Sequence, residues 1–531
     1  MRIRIDILEY LQRLVCETPL NLPQRAKFLI SQVNDYCKKF QDECNYVSIE
    51  VNSCCLNFDH RDEDIILTLI NQMPRTYFPS DRQLFGLRVL FPEETFCCRG
   101  FRIDPRASSV KIFDINGITT GVNYHGVCKE CKTIYYHNYV ESGNVRRFKC
   151  HPGQDLFSLT SCVAVSKRLM TRFELQASIS FTSFEKMAAI YNEENNSREI
   201  NAQLIEEHYF IYKITQIKSE MQWHRKKNSH IDIEKICEEA YTEIKSAVDI
   251  KWMEHRCADI GCRERIVVCD GNEKLFRYIC AKEIEHVSGG TGQLNTRQRC
   301  TRNPLRGNQS VASSKYCPEH AECLTSTINE RIDLHPMTRG NARKLHEVFV
   351  SEEGCKLEAN LDKYSERTAG MFYLFRTCGI RLSHVEMFTA ESLTTVFSTL
   401  IDTFGECPDT NSVRTIIYDR SCDLHPFLAR LAREGNEVAR RYSVLDFIVD
   451  IFHAEKHTMP KCVIGTPECT YHPDLPQFTH IRRANTEICE QSFHLLNQCK
   501  HITRNMTYAK RLCFLKFIDN DFNTRLEKTL Q

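Results

Sequence analysis

The sequence lacks a long apolar run, a net charge of either sign, internal repeats and low-complexity tracts, and each absence removes a class of function. Nothing in the 531 residues approaches the ~18 consecutive apolar positions of a membrane span. The opening Met1-Arg2-Ile3-Arg4-Ile5-Asp6 puts charges where a secretory signal needs an unbroken apolar core, and no small-residue cleavage site follows. A soluble intracellular chain with no membrane partner is therefore expected. Lys plus Arg (70) and Asp plus Glu (69) cancel to a formal +1, so a polyanion would have to be met by local basic patches. Hydrophobic residues at 42% and charged residues at 26% are ordinary globular proportions, which excludes disordered, collagen-like and coiled-coil chains. At roughly 100–200 residues per domain, the length suits three or four domains.

What the sequence does have is cysteine. Its 28 cysteines are many for a reducing compartment, yet fewer than the ~8–10% of a small disulfide scaffold. Reduced cysteines clustered beside histidines point to zinc. The first cluster offers Cys97, Cys98, Cys128, Cys131, His137, Cys150 and His151. Cys128-x2-Cys131 is a knuckle whose thiolates reach one tetrahedral ion, with Cys97 and Cys98 as an unusual partner pair that leaves the other two ligands open. The second cluster is Cys300 followed by Cys317-x2-His320, with Cys257, Cys262, Cys280 and Cys323 nearby in sequence; Cys280 is the first choice for its fourth ligand. Cys16, Cys37, Cys44, Cys54 and Cys55 lack knuckle spacing and read as buried thiols.

The expected organisation is α+β and multidomain. Residues 1–90 read as a helical N-terminal domain, with Ile7, Leu8, Leu11, Leu14 and Val15 on one stripe. Residues 91–162 read as a small β-rich cysteine-cluster zinc domain, with strands at Val110–Phe113 and Ile134–Tyr136. Residues 163–255 read as a helical connector or dimerisation domain, amphipathic through Leu204, His208, Ile211, Tyr212, Ile214 and Ile217. Within it Trp223-His224-Arg225-Lys226-Lys227 is a basic knot, either a solvated loop or a phosphate contact. Residues 256–531 read as the candidate catalytic domain, with a zinc-bearing insertion expected at about 280–340.

Among 69 acids, those that end buried elements matter most. Asp270 ends the strand Ile266–Cys269, ahead of a Gly271-Asn272 turn and a second strand-like run from Leu275 to Cys280. Asp419 ends Thr415–Tyr418, which follows an amphipathic helix from Leu393 to Phe404 stopped by Gly405. Glu490 lies early in a helix that Asn485 could cap, with Cys489, Phe493 and Leu496 as its buried stripe. Two strand-end aspartates and a helical glutamate can converge on a pair of divalent cations, the arrangement that phosphodiester cleavage needs. Three unrelated surface acids would give the same pattern.

Four runs sharpen this reading: Val268-Cys269-Asp270-Gly271-Asn272, Tyr418-Asp419-Arg420-Ser421-Cys422, Asp450-Ile451-Phe452-His453 with His457, and Asn485 to Gln491 around Glu490. In this order they resemble the conserved blocks of Kyakuja-Dileera-Zisupton (KDZ) transposases. Cys128-Lys129-Glu130-Cys131 followed by Tyr135-Tyr136-His137-Asn138-Tyr139 is similar to the cysteine cluster associated with them. The resemblance implies an RNase H-like catalytic domain with a DDE triad at Asp270, Asp419 and Glu490, using Mg²⁺ or Mn²⁺. Glu487, three residues earlier on the helix, rivals Glu490. It also implies DNA strand cleavage followed by strand transfer, transposon ends and target DNA as partners, a homo-oligomer and a nuclear location, while the Cys/His clusters themselves predict two or three structural zinc ions, one for each. A third zinc set, Cys422, His425, His453 and His457 with Cys462 and Cys469 as substitutes, is similar to an element of related DDE transposases; separate polar contacts read equally well. Arg146-Arg147-Phe148-Lys149 and Arg482-Arg483 would touch phosphates. The alternative is a catalytically inactive or host-recruited zinc DNA-binding protein.

Overall fold

The computed structural model describes residues 88–90, 92, 97–98, 101–103, 108–123, 125–150, 155–224, 231–278, 283–285, 297–299, 367–387, 391–409, 412–454, 470–478 and 481–530. The expected helical domain before residue 88 and the insertion cysteines Cys280, Cys300, Cys317 and Cys323 with His320 lie outside these residues, as do His151, His457, Cys462 and Cys469. The fold is mixed α/β with several sheets. By internal contacts the chain divides into two units, one of residues 1–176 and 184–233, the other of 177–183 and 234–531. The expected connector 163–255 is therefore split between the two.

In the first unit, β1 (Arg88–Leu90), β2 (Phe101–Ile103), β3 (Ser108–Asp114), β4 (Gly117–Asn123), β5 (Gly126–Cys128), β6 (Ile134–Tyr135), β7 (Tyr139–Ser142), β8 (Val145–Lys149), β9 (Leu156–Thr160) and β10 (Val163–Ser166) precede three helices. These are α1 (Lys167–Ser178), α2 (Phe184–Glu194) and α3 (Ala202–Lys218), and β11 (Glu220–His224) follows. One sheet has the order β1-β4-β3-β10-β9 and the other β11-β8-β7-β6-β5-β2. Helix α3 buries Ile205, His208 through Thr215 almost without a break, because α2, β8, β9 and β11 all pack on it. It is a core helix, and an amphipathic surface stripe is not what it presents. Trp223 and His224 belong to β11, which pairs with β8, so the start of the basic knot is strand and not loop. The neighbouring basic run sits on β8, where alternation splits it: Arg146 is buried over the Tyr139 ring and donates to the Leu159 carbonyl, while Arg147 and Lys149 pair with Glu220. A strand's period of two thus removes Arg146 from phosphate contact.

The second unit begins with α4 (Ile233–Met253) and α5 (Ile260–Arg263), then β12 (Ile266–Asn272), the paired β13 (Glu283–Glu285) and β14 (Arg297–Arg299), β15 (Gly370–Arg376) and β16 (Arg381–Met387). Next come α6 (Leu393–Phe404), β17 (Thr415–Tyr418), α7 (Ser421–Arg433), α8 (Glu437–Tyr442), β18 (Asp446–Ile448) and α9 (Ile451–Ala454). The chain closes with α10 (Ile488–Leu496), α11 (Lys500–Thr503) and α12 (Tyr508–Leu530). One five-stranded sheet of order β16-β15-β12-β17-β18 organises the unit. β12 runs antiparallel to β15 and parallel to β17, and β17 runs parallel to β18. Every residue of β15 and β17 is buried, which requires layers on both faces. Helix α10 packs on β12 and β15, with Phe493 against Tyr373 and Phe375, and α12 packs on β16. Buried charges on α12 are paired: Arg511 and Arg277 on Glu386, Asp519 on Arg381 and His384, and Lys516 on Asp249.

Three local expectations change. β12 continues through Gly271 and Asn272, so the turn comes at Glu273-Lys274, and of the described part of the expected second strand, 275–278, only an isolated Tyr278–Arg367 bridge is β-like. The residue at the N-cap of α10 is Glu487, not Asn485, whose amide instead donates to Gln491. Helix α6 has the expected bounds, with Ser392 capping the Thr395 amide and Gly405 at φ 79° closing it.

Candidate active site and metal centres

The register of the sheet brings two of the expected acids together. Cys269 of β12 lies opposite Tyr418 of β17, so the following residues, Asp270 and Asp419, emerge side by side at the carboxyl ends of parallel strands, where α/β sheets bind ligands. A third carboxylate joins them, and it is Glu391. Oxygens of Asp270, Glu391 and Asp419 all lie within 4.8 Å of one another. Glu391 stands one residue before the Ser392 cap, and the Tyr418 hydroxyl donates to its Oε1 at 2.5 Å. Its carboxylate occupies the space a Cβ at position 271 would fill, so Gly271 admits it. The Gly271 amide donates to Asp270 Oδ1 at 2.7 Å.

Glu490 stands off from this group. It lies in the first turn of α10, exposed, yet close enough that its charge raises the Asp270 carboxyl. Glu487 is exposed at the helix cap. The electrostatics follow from crowding. Burial, then the Glu391 and Asp419 carboxylates, push Asp270 well above the usual carboxylate range. Burial, then Asp419, raise Glu391 to about 7, against the Tyr418 hydrogen bond. Three half-buried carboxylates repel one another unless protons or a cation neutralise them. All their donors are hard oxygens, which suit Mg²⁺ or Mn²⁺ rather than a soft metal. The sequence signal for Glu391 is its place just ahead of the well-marked α6, away from the strand ends and from the helix that carries Glu490.

In the first unit the four thiols Cys97, Cys98, Cys128 and Cys131 converge within 4.8 Å. Cys97 Sγ lies 3.8 Å from Cys98 Sγ and 3.2 Å from Cys131 Sγ. The knuckle is a tight turn: the Lys132 amide returns to the Cys128 carbonyl, the Cys128 amide to Thr133, and Lys132 takes a left-handed φ of 59°. Cys131 donates to the Thr133 hydroxyl at 3.1 Å. These soft donors suggest structural zinc. A second soft set in the other unit, His255, Cys257, Cys262 and Cys378, also converges within 4.8 Å.

The third expected zinc set is not drawn together among the described residues. Both ring nitrogens of His425 are engaged, one with the Tyr471 hydroxyl and one with the Ser443 carbonyl, each at 2.9 Å. His453 Nδ1 meets Asp450 at 2.9 Å, and Cys422 is buried in the first turn of α7. His425, wedged against Phe447, is a packed and hydrogen-bonded histidine with no nitrogen left for a metal.

Residues 264–523 match the family model described as Kyakuja-Dileera-Zisupton transposase, and residues 88–195 match the CxC5 like cysteine cluster associated with KDZ transposases. The chain belongs to the KDZ transposase family. Both the acid cluster and the soft Cys97 cluster fall inside the matched segments. KDZ membership implies DNA binding, and no described helix is long and apolar enough to cross a membrane. No curated protein and no solved structure matches the chain.

Proposed function

We propose that this KDZ protein is a DNA transposase of the DDE type, cutting and rejoining DNA strands at the carboxylate cluster of its second unit. The observation that carries this reading is the convergence of Asp270, Asp419 and Glu391 at the carboxyl ends of β12 and β17, inside the transposase-matched segment. A mixed sheet with the first acid on its central strand and the second on the adjoining parallel strand supports an RNase H-like domain. Divalent cations held there would supply the Lewis acidity that activates water and steadies the leaving alkoxide. Asp270 and Asp419 are the shared anchors of that site. The Gly271 amide fixes the orientation of Asp270, and the Tyr418 hydroxyl fixes that of Glu391. Glu490, in the first turn of α10 and near enough for its charge to act on Asp270, would be the triad's third acid, with Glu391 as a fourth carboxylate able to hold the cations. The freed 3′-hydroxyl then attacks target DNA in the same site. Holding two ends for that reaction calls for a homo-oligomer, and access to chromosomal DNA calls for a nuclear location.

The test is cleavage. Full-length protein with Mg²⁺ or Mn²⁺ nicks DNA carrying its own terminal repeats, and Asp270→Ala protein does not. Nicking by Asp270→Ala at the original rate would discard the assignment, and DNA binding without metal-dependent nicking by the unmodified protein would favour a host-recruited binding protein.

A further inference from the structure

Away from the acids, at the opposite end of β12, four side chains from three separate pieces of chain meet. His255 follows α4, Cys257 and Cys262 flank and enter α5, and Cys378 sits in the turn joining β15 to β16. Their donor atoms lie within 4.8 Å of one another. Cys262 Sγ is 3.3 Å from Cys378 Sγ, and Cys378 Sγ is 3.7 Å from His255 Nε2. Sulfurs around a tetrahedral zinc with ~2.3 Å bonds stand about 3.8 Å apart, whereas disulfide sulfurs stand about 2.05 Å apart. The spacing fits shared coordination, not a bond.

We infer that His255, Cys257, Cys262 and Cys378 form a structural zinc site that ties the β15–β16 turn and the start of β12 to the end of α4. Three features surrounding the donors argue for a metal over a chance meeting of thiols. The first is the histidine: with Nε2 turned to the thiols, Nδ1 faces the Glu527 carboxylate at 3.5 Å, the outer partner that metal-bound imidazoles commonly have. The second is Arg376, buried to 1% exposure beside the cluster. Its Nη2 reaches the Met253 carbonyl, but Nε and Nη1 have no hydrogen-bond partner among the described residues, and Cys262 and Cys378 are near enough for their charge to act on it. Zinc binding releases three thiol protons and leaves a complex of net charge −1, which provides the counter-charge that this buried guanidinium otherwise lacks. The third is the scaffold. Asp259 caps α5 by accepting from the Cys262 amide and also accepts from Thr377 in the turn, so one side chain holds two ligand-bearing segments in place. A Cβ at Gly261 would collide with Thr377, so the close approach depends on that glycine. The donors are soft, sit at the far end of the sheet from the carboxylates, and close the coordination with four protein ligands, which makes the site structural and not catalytic.

The experiment uses the full chain purified without chelator. Elemental analysis should show that Cys378→Ser loses one zinc per chain relative to the unmodified protein, and that Cys128→Ser loses a different one, so the double variant loses both. Unchanged zinc in Cys378→Ser would overturn the site. A measurement on the unmodified chain guards against a variant that fails to fold. Iodoacetamide labelling followed by trypsin reads Cys257 and Cys262 in the peptide 257–263 and Cys378 in the peptide 377–381. All three should be protected until 1,10-phenanthroline removes zinc, then label, while Cys237 and Cys513, buried in the same unit, remain unlabelled. Equal labelling with and without chelator, or a Cys262–Cys378 disulfide in place of zinc, would refute the proposal. Neither readout depends on DNA cleavage, so the inference stands or falls apart from the catalytic reading.

Discussion

The thiol cluster of the first unit and the carboxylate cluster of the second are built in opposite ways. Cys97, Cys98, Cys128 and Cys131 come from a short stretch of chain, gathered by a knuckle whose own backbone bonds hold it, and most of the cluster is open to solvent. Asp270, Glu391 and Asp419 come from chain positions far apart, are gathered only by the register of a buried sheet, and repel one another where they meet. One site adds to the stability of its surroundings when filled. The other costs stability when empty, a cost in keeping with a functional site. Sites of the second kind, where local energetics conflict with the fold, are where catalysis is to be sought.

The largest expected effect concerns the costly site. Asp419→Asn should lower metal-dependent DNA cleavage by more than about 100-fold, the scale of losing a group that acts on charge developing in the transition state. A variant that keeps a tenth of the original rate would break the comparison. Next, loss of zinc from the first unit's thiol cluster alone, by Cys128→Ser, should unfold its surroundings while the acid-bearing unit keeps its own transition. Added Mg²⁺ should not reverse that loss, because thiolates bind hard cations poorly. Far-UV circular dichroism melts of the unmodified and Cys128→Ser proteins read this directly, and identical melts would contradict it.

A smaller effect has the opposite sign. Asp270→Asn should raise the melting temperature of metal-free protein by roughly 2–4 °C for each kcal/mol of repulsion relieved, whereas Cys128→Ser should lower it. A variant at Asp270 that destabilises the metal-free fold would mean the carboxylates are structural. The smallest effect is in pH. Without metal, the folded chain keeps a proton on Glu391 between its ordinary 4.5 and about 7, where the unfolded chain has released it. The folded state therefore binds more protons across that window, and stability falls as pH rises, by up to roughly 1.4 kcal/mol per pH unit. Denaturant titrations of the unmodified protein and Glu391→Gln should differ by this slope, and the difference should vanish with saturating Mg²⁺. Parallel slopes without metal would remove Glu391 from the electrostatic account.

Much of this was legible in the residues, for identifiable reasons. Helix α6 could be read to the residue because an apolar stripe, a serine cap and a glycine stop all agree. β12 and β17 announced themselves as apolar runs ending in Asp270 and Asp419, and a C-x2-C knuckle marked Cys128 and Cys131. Tertiary packing decided the rest. Helix α3 is enclosed on nearly every side, and its unbroken apolar run Tyr209-Phe210-Ile211-Tyr212 is the mark of a core helix and not of a single stripe. Arg146 is drawn inward by Tyr139 and Trp223, so a run of basic letters overstated the exposed charge. Glu391 has no motif of its own; only the pairing of β12 with β17, and the placing of the start of α6 beside them, brings it to the aspartates. His255 and Cys378 are separated by more than a hundred residues and become partners only through the β15–β16 turn.

The most direct test of the central claim is Mn²⁺ binding followed by electron paramagnetic resonance, with zinc measured in the same samples. The account predicts that unmodified protein binds Mn²⁺, and that Asp270→Asn/Asp419→Asn protein loses that binding while its zinc content is unchanged. Mn²⁺ bound equally by the double variant, or zinc lost along with it, would contradict the claim that these carboxylates form a hard-metal catalytic site separate from the thiol centres.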